Sequence, residues 1–189
     1  MTSKTEIVKA LVAIFNPICV VSKERLSSSG KSLENAPMDV VIGTREDAVG
    51  TVREGNARFH VDLLDTINPE LFLDMRHVRL EVEDRFRAMS GASLRFLNLF
   101  SYTCSFSVHA RLGGAAVATN ADISGKILDK GRENYALNGL ICVLASSSAV
   151  TLSNTCIGLK RKGSVLTASC WTRQALRVLR ALTLTCAST

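Results

Sequence analysis

Asp122 is the residue whose type and position most directly suggest chemistry. It follows the apolar stretch Val117–Ala121 and stands 22 residues after Phe100, which closes an earlier apolar run beginning at Arg95. An acidic side chain at the carboxyl end of a second strand can accept hydrogen bonds from both hydroxyls of a ribose. Between the two runs lies Ser101-Tyr102-Thr103-Cys104-Ser105. Small residues in such a turn let a ligand approach the backbone, and unpaired N–H groups at the helix start that follows favour a carboxylate. The spacing therefore suggests a nucleoside site, although Asp122 could equally serve with Ser124 as a turn or cap residue. There is no GxGxxG, so a nicotinamide cofactor is not supported.

The elements that would position these residues can be read from periodicity. Arg95–Phe100 reads as a buried strand and Thr103–Leu112 as a helix, with Thr103 or Ser105 suited to capping and Gly113-Gly114 to ending it. Val117–Ala121 reads as a second strand and Ser124–Leu137 as a helix closed by Asn138-Gly139. This alternation predicts an α/β fold with a parallel sheet. Upstream, Met75–Met89 has Val78, Val82 and Phe86 at i, i+4 and i+8, the stripe of an amphipathic helix. Val40–Ile42, Gly50–Val52 and Ala57–Leu63 read as short strands, with a turn at Asn68-Pro69. Near the start, Ile7, Ala10, Leu11 and Ile14 are at helical spacing before a break at Asn16-Pro17, and Ile18–Val21 suits a strand. The SSSGK stretch at 27–31 is a polar loop, because the first glycine of a phosphate-binding loop is missing.

Composition narrows the function classes. The 189 residues are 47% hydrophobic and 21% charged, the balance of a globular chain. No long uncharged apolar run predicts a membrane span, and Ile7–Val21 contains Lys9, Asn16 and Pro17 without a cleavage pattern, so the cytoplasm is the expected compartment. Six cysteines form no CxxC pair and have no paired histidines, so no metal site is expected and the thiols read as buried or incidental. The net charge of +6 suggests nucleic acid, yet it is unevenly placed. Residues 141–189 hold six of the 23 basic side chains and no acidic one, leaving 17 bases against 17 acids in residues 1–140.

The segments FLNLFSYTCSFSVHA (96–110), GGA (113–115), NADIS (120–124) and ENYALNG (133–139) together resemble one family. It is the class I S-adenosylmethionine-dependent methyltransferases of large-subunit ribosomal RNA, which make 5-methylcytosine or 7-methylguanine. LLDTINPELFLDMR (63–76) resembles the same family's Phe/Tyr-Leu-Asp-x-Arg element. The resemblance implies an incomplete Rossmann-like sheet over 57–140, preceded by a small α/β segment over 1–56. It implies S-adenosylmethionine as cofactor and RNA, ribosomal RNA in particular, as partner, with direct methyl transfer to a base. Phe100, Ser101, Tyr102 and Thr103 would line the cofactor, Asp122 would hold the ribose, and Asp74 and Arg76 would brace the site. The resemblance assigns no catalytic residue, methylated atom or oligomeric state. Cys104 departs from the pattern, since glycine is frequent there, and it reads as helix-start filler.

After ENYALNG the family continues with a third strand, then a fourth ending in Asp-Pro-Pro. Residues 141–189 show neither motif, and 18 of their 49 residues are Ser, Thr or Cys. Back-translation with a one-nucleotide shift near 141–146 permits Asp-Pro-Pro at Trp171–Gln174, which reads the tail as out of frame. The missing strands would leave an unpaired sheet edge and doubtful activity. The alternative functional reading is a non-catalytic remnant that binds cofactor or RNA. For the tail itself, Leu176, Leu179 and Leu182 with Arg173, Arg177 and Arg180 could instead form a basic helix.

Overall fold

The computed structural model describes residues 3–23, 38–65, 68–89 and 94–144, together with the backbone of 166–169. The SSSGK loop and the candidate basic helix lie outside the described residues. Two units are distinguished, Met1–Val52 with His60–Glu70, and Arg53–Phe59 with Leu71–Thr189.

In the first unit, α1 spans Lys4–Phe15 and opens on a reciprocal cap. The Ser3 hydroxyl accepts from Glu6 N at 3.2 Å and the Glu6 carboxylate accepts from Ser3 N at 2.8 Å. The helix ends where Asn16 turns left-handed (φ 45°) ahead of Pro17, as the sequence predicts. Strand β1 (Val20–Lys23) then pairs antiparallel with β2 (Met38–Ile42). Strands β3 (Val49–Glu54) and β4 (Ala57–Asp62) form a two-stranded sheet joined through Gly55 and Asn56, and the tip of this hairpin groups with the second unit.

The second unit carries the predicted alternation. Helix α2 (Arg76–Ala88) is followed by β5 (Arg95–Leu99), α3 (Ser105–Leu112), β6 (Val117–Ala121) and α4 (Gly125–Leu137). Strands β5 and β6 are parallel in the register Arg95↔Val117 to Leu99↔Ala121, so both end at the same side of the sheet. The expectation that no third or fourth strand follows needs correction. Short strands β7 (Val143–Leu144) and β8 (Leu166–Ser169) flank the pair, giving the parallel order β7-β6-β5-β8. The apolar run Ile141–Leu144 suits β7, and β8 satisfies backbone groups that an edge position would have left open on β5.

Packing follows from the sequence stripe on α2. Val78, Val82 and Phe86 pack with Phe96 and Phe106 and with the small side chains Ala110, Ala115 and Ala118. Phe86 meets Phe96 edge-on at 5.8 Å between ring centroids. Gly113 allows α2 to come close, because a Cβ there would lie 2.3 Å from the Glu83 carbonyl oxygen. Its glycine is therefore required by helix approach, whereas Gly114, at φ 110°, takes the left-handed conformation after the helix.

Candidate functional site

The turn between β5 and α3 is held in an unusual conformation. Phe100, Tyr102 and Cys104 have φ values of 56°, 48° and 62°, all in the left-handed region that favours glycine. Such strain costs about 1–3 kcal/mol per residue and persists only where surrounding bonds enforce it. Those bonds are present. Ser101 N donates to the Ala121 carbonyl at 3.0 Å and Cys104 N to the Ser101 carbonyl at 2.8 Å. From α4, Asn134 Nδ2 donates to the Thr103 carbonyl at 3.0 Å.

The same conformation corrects the expected cap. Cys104, rather than Thr103 or Ser105, is the α3 N-cap, it lies in the left-handed region, and it makes no side-chain cap bond. Its thiol is accommodated because Gly131 of α4 has no side chain, and a Cβ there would fall 2.5 Å from Cys104 Sγ. The cysteine at a position where the family often has glycine is thus matched by a glycine opposite.

Asp122 closes the site on the β6 side. Its carboxylate accepts from Tyr102 N at 2.9 Å through one oxygen and from Ser124 N at 3.1 Å through the other. Asp122 therefore acts as a turn and cap residue, bracing the turn and the start of α4. A carboxylate has about four acceptor positions, so each oxygen keeps capacity for a further donor. Ser124 caps α4, its hydroxyl accepting from Ile127 N at 3.4 Å, and Ile123 beside Asp122 is fully exposed.

The remaining predicted residues divide by environment. Thr103 and Ser101 are buried, and among the described residues the Ser101 hydroxyl has no hydrogen-bond partner of normal geometry. Phe100 is 38% exposed and Tyr102 half-buried. Asp74, in a short 3-10 turn, and Arg76, the first residue of α2, are exposed, with no ion pair joining them to each other. The element does approach the turn through Phe72, whose ring lies 5.0 Å from that of Tyr102.

A buried ionic group that sequence reasoning missed supports this contact. Arg79 donates to both oxygens of Glu54, at 2.6 and 2.7 Å, and its Nη1 donates to the Phe72 carbonyl at 2.8 Å. His109 completes the group, with Nδ1 2.6 Å from Glu83 and Nε2 3.1 Å from Glu54. Both ring nitrogens face carboxylates, an arrangement satisfied when the ring donates at each. Burial alone would raise the Glu54 pKa, but hydrogen bonds from Arg79 and His109 outweigh it and hold it at about 2. Glu83 is also desolvated, yet its bonds from His109, Asn56 and Arg87 lower its pKa. The signal in the sequence was the spacing of Arg79, Glu83 and Phe86 at i, i+4 and i+7, beside the apolar stripe of α2.

Among the described residues no group of three or more His, Cys, Asp or Glu is placed to hold a metal ion, and no helix is long and apolar enough to cross a membrane. The arrangement fits an adenosyl cofactor bearing a carboxylate. The Asp122 carboxylate, the buried Ser101 hydroxyl and the start of α3 converge on one turn.

Comparison with known proteins agrees with this geometry. The model of the S-adenosylmethionine-dependent methyltransferase family matches residues 20–163. Ribosomal RNA large subunit methyltransferase K/L of Acinetobacter baylyi is 38% identical over 112 residues, covering 59% of this chain and 15% of the relative. Its namesake from a Psychrobacter species is 46% identical over 99 residues, 52% of this chain and 12% of the relative. The chain thus spans less than a sixth of the length of either. A candidate S-adenosylmethionine-dependent methyltransferase of known structure from Streptococcus mutans superposes with a TM-score of 0.60 at 28% identity, covering 75% of this chain and 35% of that one. The family match takes in the strained turn, Asp122 and the parallel strands around them, and the chain belongs to the S-adenosylmethionine-dependent methyltransferase family.

Proposed function

We propose that this chain binds S-adenosylmethionine at the Phe100–Cys104 turn and serves direct methyl transfer to a base of RNA, ribosomal RNA in particular, in the cytoplasm. One observation carries the reading: three non-glycine residues with positive φ within five positions, the middle one bonded through its N–H to Asp122. Strain of this kind, enforced from β6 and α4, presents backbone donors and a carboxylate to a ligand. The relatives named for ribosomal RNA support the substrate class.

S-adenosylmethionine supplies an activated methyl group on a sulfonium centre. The chain supplies placement. Asp122 accepts from the ribose hydroxyls with the acceptor positions that Tyr102 and Ser124 leave open. The α3 N-terminus and the Ser101 hydroxyl receive the carboxylate end, and exposed Ile123 offers an apolar face to the adenine. Asp74 and Arg76 are exposed and follow Phe72, whose ring meets Tyr102, by two and four residues; in this proposal they brace the bound cofactor.

The test is incubation of the chain with methyl-labelled S-adenosylmethionine and unmodified large-subunit ribosomal RNA. Label retained by the chain and transferred to RNA is the expected outcome. Retention without transfer would confine its role to holding the cofactor, and the absence of both would refute the proposal.

A further inference from the structure

Arg79 is completely buried, and its guanidinium divides its donors between two segments of the chain. Nε and Nη2 bond the two oxygens of Glu54, the last residue of β3, at 2.6 and 2.7 Å. Nη1 turns instead to the main-chain carbonyl of Phe72, at 2.8 Å. That carbonyl also accepts from Met75 N at 3.3 Å, so it is held both from α2 and from the turn that leads into α2. Helix α3 closes the surroundings, with the Phe106 ring centre 6.0 Å from Arg79 Cζ and His109 Nε2 3.1 Å from Glu54.

This arrangement fixes a direction as well as filling a space. The guanidinium is planar, so seating two donors on one carboxylate leaves Nη1 a single direction. Phe72 has an extended backbone (φ −89°, ψ 107°), and holding its carbonyl fixes the peptide plane from which the ring projects. The ring meets that of Tyr102 at 5.0 Å between centroids, tilted by 54°. Tyr102 is the middle residue of the strained turn, and its N–H donates to Asp122 at 2.9 Å. Apolar side chains of similar volume would fill the same space at a lower desolvation cost. What the buried cation adds is the aim of the Phe72 carbonyl.

We propose that Arg79 is a positioning residue for S-adenosylmethionine binding, acting through the Phe72 carbonyl to hold the Phe72 ring against Tyr102. The inference rests on the cofactor site proposed above, and Arg79 itself touches neither cofactor nor substrate. Without the ring contact the Tyr102 side chain gains rotamers, the binding-competent turn is less populated, and the apparent affinity falls by that fraction. An aromatic pair of this kind corresponds to about twofold to tenfold in an equilibrium constant.

The test grows the full chain with 3-fluorotyrosine, which marks only Tyr102 and Tyr135, and assigns the Tyr102 fluorine resonance with Tyr102→Phe. Phe72→Leu removes the ring and Arg79→Lys removes the donor to the carbonyl. Each should displace the Tyr102 resonance in the same direction, and the double variant should move it no further. Calorimetric affinity for S-adenosylmethionine should fall about twofold to tenfold in each single variant and no further in the double. Val82→Ala, which thins the packing of α2, should lower the melting temperature while leaving the resonance and the affinity unchanged. Should Arg79→Lys fail to melt cooperatively, Glu54→Asp draws the guanidinium back by one methylene and carries the same expected shifts. A Tyr102 resonance unmoved by Phe72→Leu, or by the variant that displaces the guanidinium, would overturn the proposal, as would additive effects in the double variant. If the resonance moves as expected but the wild-type chain binds no S-adenosylmethionine, the coupling of Arg79 to Tyr102 stands and the cofactor-site reading fails.

Discussion

Acid should destabilise this chain by an amount set by Glu54. Its carboxyl is held at about 2 against an ordinary value of 4.5. A folded pKa below the unfolded one stabilises the native state above pH 4.5, and that contribution is lost as pH falls toward 2. The shift corresponds to about 3 kcal/mol in full, of which about 2 kcal/mol is gone by pH 3. Glu83, also lowered, acts in the same direction. The assay is urea denaturation at fixed ionic strength from pH 7 to pH 3, followed by circular dichroism. Glu54→Gln should flatten the slope below pH 5 while lowering stability at pH 7, because it removes the bidentate charge partner of buried Arg79. A wild-type unfolding free energy that is level between pH 6 and 3 would refute the reasoning.

Two packing predictions follow from the turn. Gly131→Ala should destabilise the chain through the Cys104 clash by about 1–3 kcal/mol, partly offset by better helix propensity, and adding Cys104→Gly should recover the loss. Strict additivity of the two changes in a denaturation cycle would contradict the contact. Asn134→Ala should remove the donor to the Thr103 carbonyl, costing about 1–3 kcal/mol of stability and weakening S-adenosylmethionine binding at a temperature where the variant remains folded. An unchanged calorimetric affinity would show that the turn does not need this anchor.

Much of the fold was legible because periodicity and breakers agreed. Val78, Val82 and Phe86 marked the buried face of α2, and the spacing from Arg95 to Asn138 marked the β5-α3-β6-α4 alternation. The strands beyond Leu140 were not legible from motifs, because a parallel strand needs only a short apolar run and open backbone partners. The cap was misassigned because Thr103 and Ser105 have the favoured side chains, while the turn imposes a left-handed residue at Cys104. Arg79, Glu83 and His109 drew no functional reading from the sequence, since charged side chains on a helix and a lone histidine are ordinarily solvated. Only the tertiary approach of α2 to α3 across Gly113 turns them into a buried group. Asp122 was legible by position, but its bond to Tyr102 N depends on a backbone conformation that side-chain identity does not announce.

The central claim is tested most directly by isothermal titration of the chain with S-adenosylmethionine, beside Asp122→Asn. The account predicts one binding site for the wild-type chain and an affinity at least about tenfold weaker for the variant, as expected for about 1.4 kcal/mol or more of lost hydrogen bonding to the ribose. Equal affinity in the two, or no binding by a wild-type chain that melts cooperatively, would contradict it.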